Sequence, residues 1–239
     1  MIGIIVELVI SWLMLWLIEK KNLSALGFAP TKSRTIHLIA GFLLAAACCA
    51  IFNIATVAFV KNAWTFNKQM SAGEIWAGSW WVLKSVLYEE LIFRGALLYI
   101  VIRKIGMVKG CVVSAICFGI YHWFSYNAFG NPVPMIFVFI VTAVAGLMFA
   151  FSFAKTNSLY LPIGLHFGWN LFSIVVFSNG PLGTQLFTRL NDEQPRGILS
   201  LLIFLFQVLA LPLLTYWWLR RQGKNPGGAH RDQLSSSST

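Results

Sequence analysis

Seven apolar runs occupy most of the chain, each close to the length of about 20 residues that a helix needs to cross a bilayer. Of the 239 residues, 58% are hydrophobic and 11% are charged, whereas a soluble domain carries about a quarter charged residues. We therefore predict an all-α fold, a polytopic transmembrane helix bundle. The predicted spans are residues 1–18, 36–60, 76–102, 110–126, 133–154, 159–178 and 197–219.

Lysine and arginine gather at one set of predicted helix ends. Cytoplasmic loops of membrane proteins are enriched in these residues, so their placement indicates the orientation of the chain. If the N-terminus lies outside, the inner side holds twelve of them and the outer side holds four. The sequence therefore predicts an N-out, C-in orientation.

The chain is predicted to form one integral membrane domain, residues 1–221, with its functional core at about 76–178. The remaining segment, 222–239, contains two adjacent glycines and four serines. This composition is typical of a chain that cannot bury enough apolar surface to fold. We interpret it as a disordered cytoplasmic tail.

The net charge and the cysteines exclude two other classes of protein. The formal charge is +10, but the basic residues are scattered at the edges of apolar runs and form no patch interleaved with aromatics, so no nucleic-acid partner is indicated. The cysteines lie inside apolar runs without the spacing of a disulfide framework or a zinc knuckle. They are Cys48, Cys49, Cys111 and Cys117.

Three ionisable residues, Glu89, Glu90 and Arg94, lie inside the third predicted span. A charged residue at the centre of a membrane helix costs about 2.5–3.5 kcal/mol on insertion scales, so such residues usually have a function. Residues four apart share a helix face, which pairs Glu90 with Arg94 and directs Glu89 to a neighbouring face. We expect the pair to be ionised and Glu89 to be free to act as a general base.

Two histidines and an asparagine lie at a similar predicted depth, namely His122 in the fourth span and His166 and Asn170 in the sixth. At 1.5 Å rise per residue, Glu89 and both histidines lie about 15–20 Å from the inner ends of their helices. Each residue alone has a structural explanation, as a hydrogen-bonding link between helices or as an ion pair. Their convergence on three helices favours one water-filled functional site.

Three short motifs follow one another on successive predicted helices. They are Glu89-Glu90-x-x-x-Arg94, Phe118-x-x-x-His122 and His166-x-x-x-Asn170. In this order they resemble the CAAX protease and bacteriocin-processing enzyme family (CPBP, also called Abi), whose eukaryotic member is the type II CAAX prenyl endopeptidase. The resemblance covers about 90 residues, from the third span through the sixth. It implies a glutamate-dependent intramembrane endopeptidase.

The resemblance also implies a role for each polar residue of the motifs. The six residues divide into a pair that activates a water, a pair that stabilises the oxyanion of the tetrahedral intermediate, and a supporting pair. These pairs are, in turn, Glu89 with His122, His166 with Asn170, and Glu90 with Arg94. The scheme needs a base near neutral pKa and donors directed at the developing charge.

The sequence favours a site without a metal or another cofactor. Two glutamates and two histidines could serve as zinc ligands, but the sequence contains no His-Glu-x-x-His run, and asparagine and arginine are poor zinc ligands. The family that the motifs resemble is also metal-independent. We therefore expect no cofactor, with zinc as the less favoured alternative.

Three functions stay open at the level of the sequence. The first is an endopeptidase that cleaves a membrane-associated peptide or protein reaching the site from the cytoplasmic face or from the bilayer. The second is a noncatalytic immunity or partner-binding protein, and the third is a proton-coupled carrier that titrates Glu89. We expect a multi-pass protein of a bacterial plasma membrane, because the chain is compact and shows no eukaryotic targeting signal. The substrate and the oligomeric state are not indicated.

Overall fold

The structure is a computed structural model that describes residues 2–177 and 185–222. The predicted disordered tail, 222–239, lies outside the described residues except for Gln222. Most of the described residues are helical. Helices α1 to α8 are Ile2–Met14, Lys32–Ala58, Ala72–Arg94, Ala96–Ile105, Met107–Ser125, Pro132–Thr156, Tyr160–Leu171 and Gly197–Gln222. Two π-helical turns, Leu15–Glu19 and Phe172–Val176, extend α1 and α7, and Leu23–Leu26 forms a 3-10 turn.

Five helices in the described part of the chain are long and apolar enough to cross a membrane. They are Ile2–Glu19, Lys32–Ala58, Met107–Ser125, Pro132–Thr156 and Gly197–Gln222. Helices α3 and α7 occupy the other two predicted spans, but α3 carries several charged residues and α7 with its π-helical turn is short. The protein is thus a multi-pass, all-helical membrane protein, whereas the count of seven spans and the orientation stay predictions.

The third predicted span is not one helix, because the chain breaks at Gly95 between α3 and α4. A Cβ atom at Gly95 would lie 2.1 Å from the carbonyl oxygen of Leu91, which no side chain tolerates. The amide of Gly95 still donates to Leu91 and its carbonyl accepts from Tyr99. Glycine therefore allows the chain to turn immediately after Arg94 while the backbone hydrogen bonds are kept.

The two ends of the bundle differ in chemistry. At one end, which we call the basic end, Arg103 pairs with Glu19 at 2.7 Å and the backbone of Leu159 donates to Leu26. At the opposite end, strands β1 (Trp64–Phe66) and β2 (Phe187–Arg189) form an antiparallel pair, so we call it the hairpin end. The predicted all-α fold contains no strand.

Aromatic side chains fix the two strands to the bundle. The ring of Phe177, just after α7, stacks on Phe187 of β2 and meets Trp64 of β1 edge-on. The indole nitrogen of Trp64 also donates to the carbonyl of Asn53 in α2 at 2.9 Å. A strand of three residues is too short to show a periodic pattern in the sequence. Strands β1 and β2 depend on these tertiary contacts instead, which is why the sequence did not predict them.

Helices α2 and α7 pack closely at three glycines, Gly41, Gly164 and Gly168. A Cβ atom at Gly164 would lie 2.3 Å from the carbonyl oxygen of Leu38, and one at Gly168 would lie 2.3 Å from that of Phe42. Small residues let membrane helices approach until their backbones touch. This close packing fixes the position of α7, which carries His166 and Asn170.

We expect Gly168→Ala to destabilise the fold by about 1–3 kcal/mol, because the added methyl group meets the backbone of α2 rather than a movable side chain. Thermal unfolding of the purified protein in detergent micelles measures the effect. Gly73→Ala is the matched control, since a Cβ atom there meets nothing closer than the Ser71 hydroxyl at 3.8 Å. Equal stability of the two variants would contradict the close packing.

Candidate active site

A fully buried ion pair forms the base of the site. Nη1 of Arg94 lies 3.2 Å from Oε1 of Glu90, and both side chains are 0% exposed. Nη2 of the same guanidinium donates to the carbonyl of Gly146 in α6 at 3.3 Å. The ring of Phe118 lies 4.0 Å below the guanidinium carbon, a cation–π contact that is strong when water is excluded. The pairing expected from the helical spacing is therefore present.

His166 connects this ion pair to the other glutamate. Its Nδ1 lies 2.7 Å from Oε1 of Glu90, and its Nε2 lies 3.8 Å from Oε2 of Glu89. Because Oε1 of Glu90 also accepts from Arg94, it acts as an acceptor toward His166 as well. The Nδ1 of His166 is therefore the donor. The imidazole also stacks on Phe149, with ring centroids 4.7 Å apart.

His122 reaches Glu89 from α5. Its Nδ1 lies 2.8 Å from the carbonyl oxygen of Phe118, one helical turn earlier. A carbonyl only accepts, so Nδ1 carries the proton and Nε2 of the neutral ring has a lone pair. That Nε2 lies 3.7 Å from Oε2 of Glu89. Phe118 thus has two structural roles, because its carbonyl fixes the tautomer of His122 and its ring covers Arg94.

Both imidazoles therefore direct Nε2 toward the same carboxylate oxygen, Oε2 of Glu89. Oε2 of Glu89 is buried without a hydrogen-bond partner among the described residues, and the Nε2 atoms of His122 and His166 face it. Both rings have their Nδ1 protons committed elsewhere. Buried polar groups are rarely left unpaired, so Oε2 of Glu89 is the atom of this site that is available to a hydrogen-bond donor from outside the protein.

The site residues from the three motifs lie on or beside one cavity of about 880 Å³. Glu89, His122 and Asn170 line it. His166 is 4% exposed and is not part of the wall, but its Nε2 lies 3.8 Å from Oε2 of Glu89. Asn170 follows His166 by one helical turn, and among the described residues its side chain makes no hydrogen bond. The wall is completed by residues that the sequence interpretation did not single out. These include Trp81, Ser85, Tyr121, Ser125, Tyr126, Trp169 and Ser173.

Ser85 is a residue missed from the sequence that hydrogen-bonds directly to Glu89. Its hydroxyl donates to Oε1 of Glu89 at 3.3 Å, so the two oxygens of the carboxylate have different surroundings. The sequence signal for it is spacing, since Ser85 precedes Glu89 by four residues and shares its helix face. Oε1 is held by the helix and Oε2 is left to face the imidazoles.

The cavity extends toward the hairpin end. Tyr126, Phe177 and Arg189 line it and lie at the ends of α5, α7 and β2 on that side. The count from the inner helix ends predicted a substrate that enters from the cytoplasmic face or laterally from the bilayer. The count did not measure how far the site lies from the opposite ends of the helices. On that side α5 ends only three residues after His122.

The described residues, 2–177 and 185–222, contain no group of three or more His, Cys, Asp or Glu side chains arranged to hold a metal ion. Both histidines use Nδ1 for hydrogen bonds within the protein. Their Nε2 atoms lie beyond hydrogen-bonding distance of Oε2 of Glu89. The absence of a metal cofactor stays a prediction from the motifs.

A comparison with protein families finds a match to the segment that carries these motifs. No curated protein and no solved structure matches the chain. Residues 71–172 match a family model described as "Type II CAAX prenyl endopeptidase Rce1-like". The matched segment begins at the residue that caps α3 and contains all six polar residues of the motifs. The resemblance of this segment to the CAAX protease family is therefore confirmed.

Proposed function

We propose that the protein is an intramembrane endopeptidase that hydrolyses a peptide bond of a membrane-associated peptide or protein. Glu89 and His122 activate the attacking water, and His166 and Asn170 stabilise the oxyanion. The family match over residues 71–172 supports the reaction class. The arrangement of acceptors around Oε2 of Glu89 supports the assignment of the residues.

The observation that carries this proposal is the pair of acceptors on the cavity wall, Oε2 of Glu89 and Nε2 of His122. A water molecule has two protons to donate, so one resting against Oε2 of Glu89 and Nε2 of His122 satisfies two acceptors at once. Both residues line the cavity, so the oxygen lone pairs of such a water are left for a substrate bound there. A carboxylate that takes a proton from this water acts as a general base.

The oxyanion role is argued from the face that α7 turns to the site. His166 and Asn170 are one turn apart, and Asn170 lies on the cavity wall. Asparagine supplies an amide N–H. His166 donates through Nε2 only when both ring nitrogens carry protons, and its positive charge then lies between the carboxylates of Glu89 and Glu90. Donors aimed at developing charge in a site with little water usually supply the largest catalytic term.

Glu90 and Arg94 support the site without reacting. Both are fully buried and absent from the cavity wall. Their contribution is to hold Nδ1 of His166 and to neutralise each other's charge. A second layer of this kind fixes the orientation of reacting groups.

The position of the cavity supports a route for the substrate. Its polar wall lies inside the bundle and reaches the hairpin end, so an extended peptide enters from that side or from the bilayer. We propose maturation of a peptide pheromone, a bacteriocin or a signalling protein in a bacterial plasma membrane. No cofactor is part of the scheme, and stoichiometric zinc in the purified protein would contradict it.

Comparative analysis of membrane peptides tests the proposal. Membranes containing the wild-type protein, Glu89→Ala or His122→Ala are compared by mass spectrometry at equal protein levels. We expect one peptide or protein to accumulate uncut in both variants. An unchanged profile in both would contradict an endopeptidase and favour a noncatalytic binding protein. Substrate flux that follows a pH gradient would favour the carrier.

A further inference from the structure

One cation lines the cavity at a distance from the catalytic groups. Arg189, the last residue of β2, contributes to the wall, and in the described part of the chain no other lysine or arginine does. Among the described residues, Glu89 is the one acidic side chain on the cavity wall. The cavity therefore has an acidic group near its base and a guanidinium toward the hairpin end.

The guanidinium is held in place rather than free in solvent. Its carbon lies 5.3 Å from the ring centroid of Trp64, the residue opposite it in the strand register. Trp64 in turn is fixed by its hydrogen bond to Asn53 and its contact with Phe177. Arg189 is half-buried, and within residues 2–177 and 185–222 no carboxylate forms a salt bridge with it.

The same strand is tied to the helix that carries His166 and Asn170. The π-helical turn after α7 leaves the carbonyl of Val175 free, and the backbone amide of Leu186 donates to it at 3.0 Å. Such turns are frequent at functional sites. A backbone hydrogen bond therefore ties the residue just before β2 to the turn that follows α7.

We propose that Arg189 is a specificity-determining residue that binds a carboxylate of the substrate. A guanidinium without an acidic partner, held over an aromatic ring at the cavity wall, matches a carboxylate through two parallel hydrogen bonds. Glu89 repels the same group, so a peptide is bound with its negative end toward the hairpin end. The carboxylate comes from the C-terminus of the peptide or from an Asp or Glu side chain.

This inference rests on the proposed function in one respect, namely that the ligand is a peptide. Its test therefore measures binding separately from hydrolysis. The probe is a mixed-sequence pool of octapeptides with a fluorophore, made as the C-terminal acid and as the C-terminal amide, each with and without Asp and Glu. Binding to the Glu89→Gln protein in neutral detergent micelles is measured by fluorescence polarisation, and hydrolysis of the same pools by the wild type is measured in parallel.

We expect pools that carry a carboxylate to bind about 10- to 100-fold more tightly than matched pools without one, the range typical of a charge-assisted pair. Adding Arg189→Gln should abolish this preference, and Arg189→Lys should retain part of it. Adding Arg196→Gln is the matched control, because Arg196 lies beyond β2, is exposed and does not line the cavity. The acid and amide pools identify which source of carboxylate is bound.

Equal binding of the four pools, absence of binding in all of them, or a preference that survives Arg189→Gln would overturn the inference. Unfolding temperatures of the variants show whether the hairpin is intact, and Arg189→Lys keeps the test valid if Arg189→Gln unfolds. A carboxylate preference without hydrolysis would leave Arg189 as a binding residue and contradict the proposed function. Hydrolysis without a carboxylate preference would support the proposed function and contradict the role of Arg189.

Discussion

Replacing Glu89 by glutamine is expected to slow hydrolysis by about 10²- to 10⁴-fold, the usual contribution of a general base. Glutamine keeps the shape of the side chain and can still accept from Ser85, but it cannot take a proton from a water. The fold should be retained, because Glu89 is not part of the buried ion pair. The rate of substrate cleavage in detergent micelles, at equal amounts of folded protein, measures the effect.

Glu74→Gln is the control for this substitution. Glu74 lies on the same helix, is exposed and accepts from the amide and hydroxyl of Ser71 in a capping box. Glutamine also serves at this position of a capping box, so activity and stability should be unchanged. A Glu89→Gln protein that cleaves at the wild-type rate would remove the general base from the proposal.

Replacing Arg94 by methionine is expected to have the largest effect on stability. It leaves the carboxylate of Glu90 fully buried without its cation, and breaking a buried pair from one side costs about 3–5 kcal/mol. It also removes the donor to the carbonyl of Gly146 and the cation over Phe118. Thermal unfolding and the yield of folded protein measure the loss.

The double substitution Glu90→Gln with Arg94→Met separates charge from packing. Glutamine can still accept from Nδ1 of His166, and neither residue is then charged, so we expect most of the lost stability to return. If the double variant is as unstable as Arg94→Met alone, the cost does not come from an unpaired charge. If Arg94→Met is as stable as the wild type, the pair is not a structural element of the site.

The sequence predicted the separation of the two glutamates for a physical reason. Helical spacing alone assigns Glu90 to Arg94 and directs Glu89 elsewhere, and the structure shows this arrangement. The convergence with His122 and His166 followed from similar depths on three helices. Helical spacing and depth along a helix can be read from the sequence without knowing which helices pack together.

The features that were missed depend on contacts between distant segments. The break at Gly95 occurs inside an apolar run, where a glycine in a membrane helix gives no signal of its own. Strands β1 and β2 lie more than a hundred residues apart and are held by Trp64, Phe177 and Phe187. The extent of the cavity toward the hairpin end depends on where α5 ends and on these strands, so it could not be predicted.

Isotope labelling of a single turnover tests the central claim most directly. The purified wild-type protein and Glu89→Gln are each mixed with the substrate in water enriched in ¹⁸O, and the products are analysed by mass spectrometry. The account predicts that the wild type forms a new carboxylate carrying one oxygen from the labelled water, and that Glu89→Gln forms almost none in the same time. Labelled product formed by Glu89→Gln at the wild-type rate would contradict it.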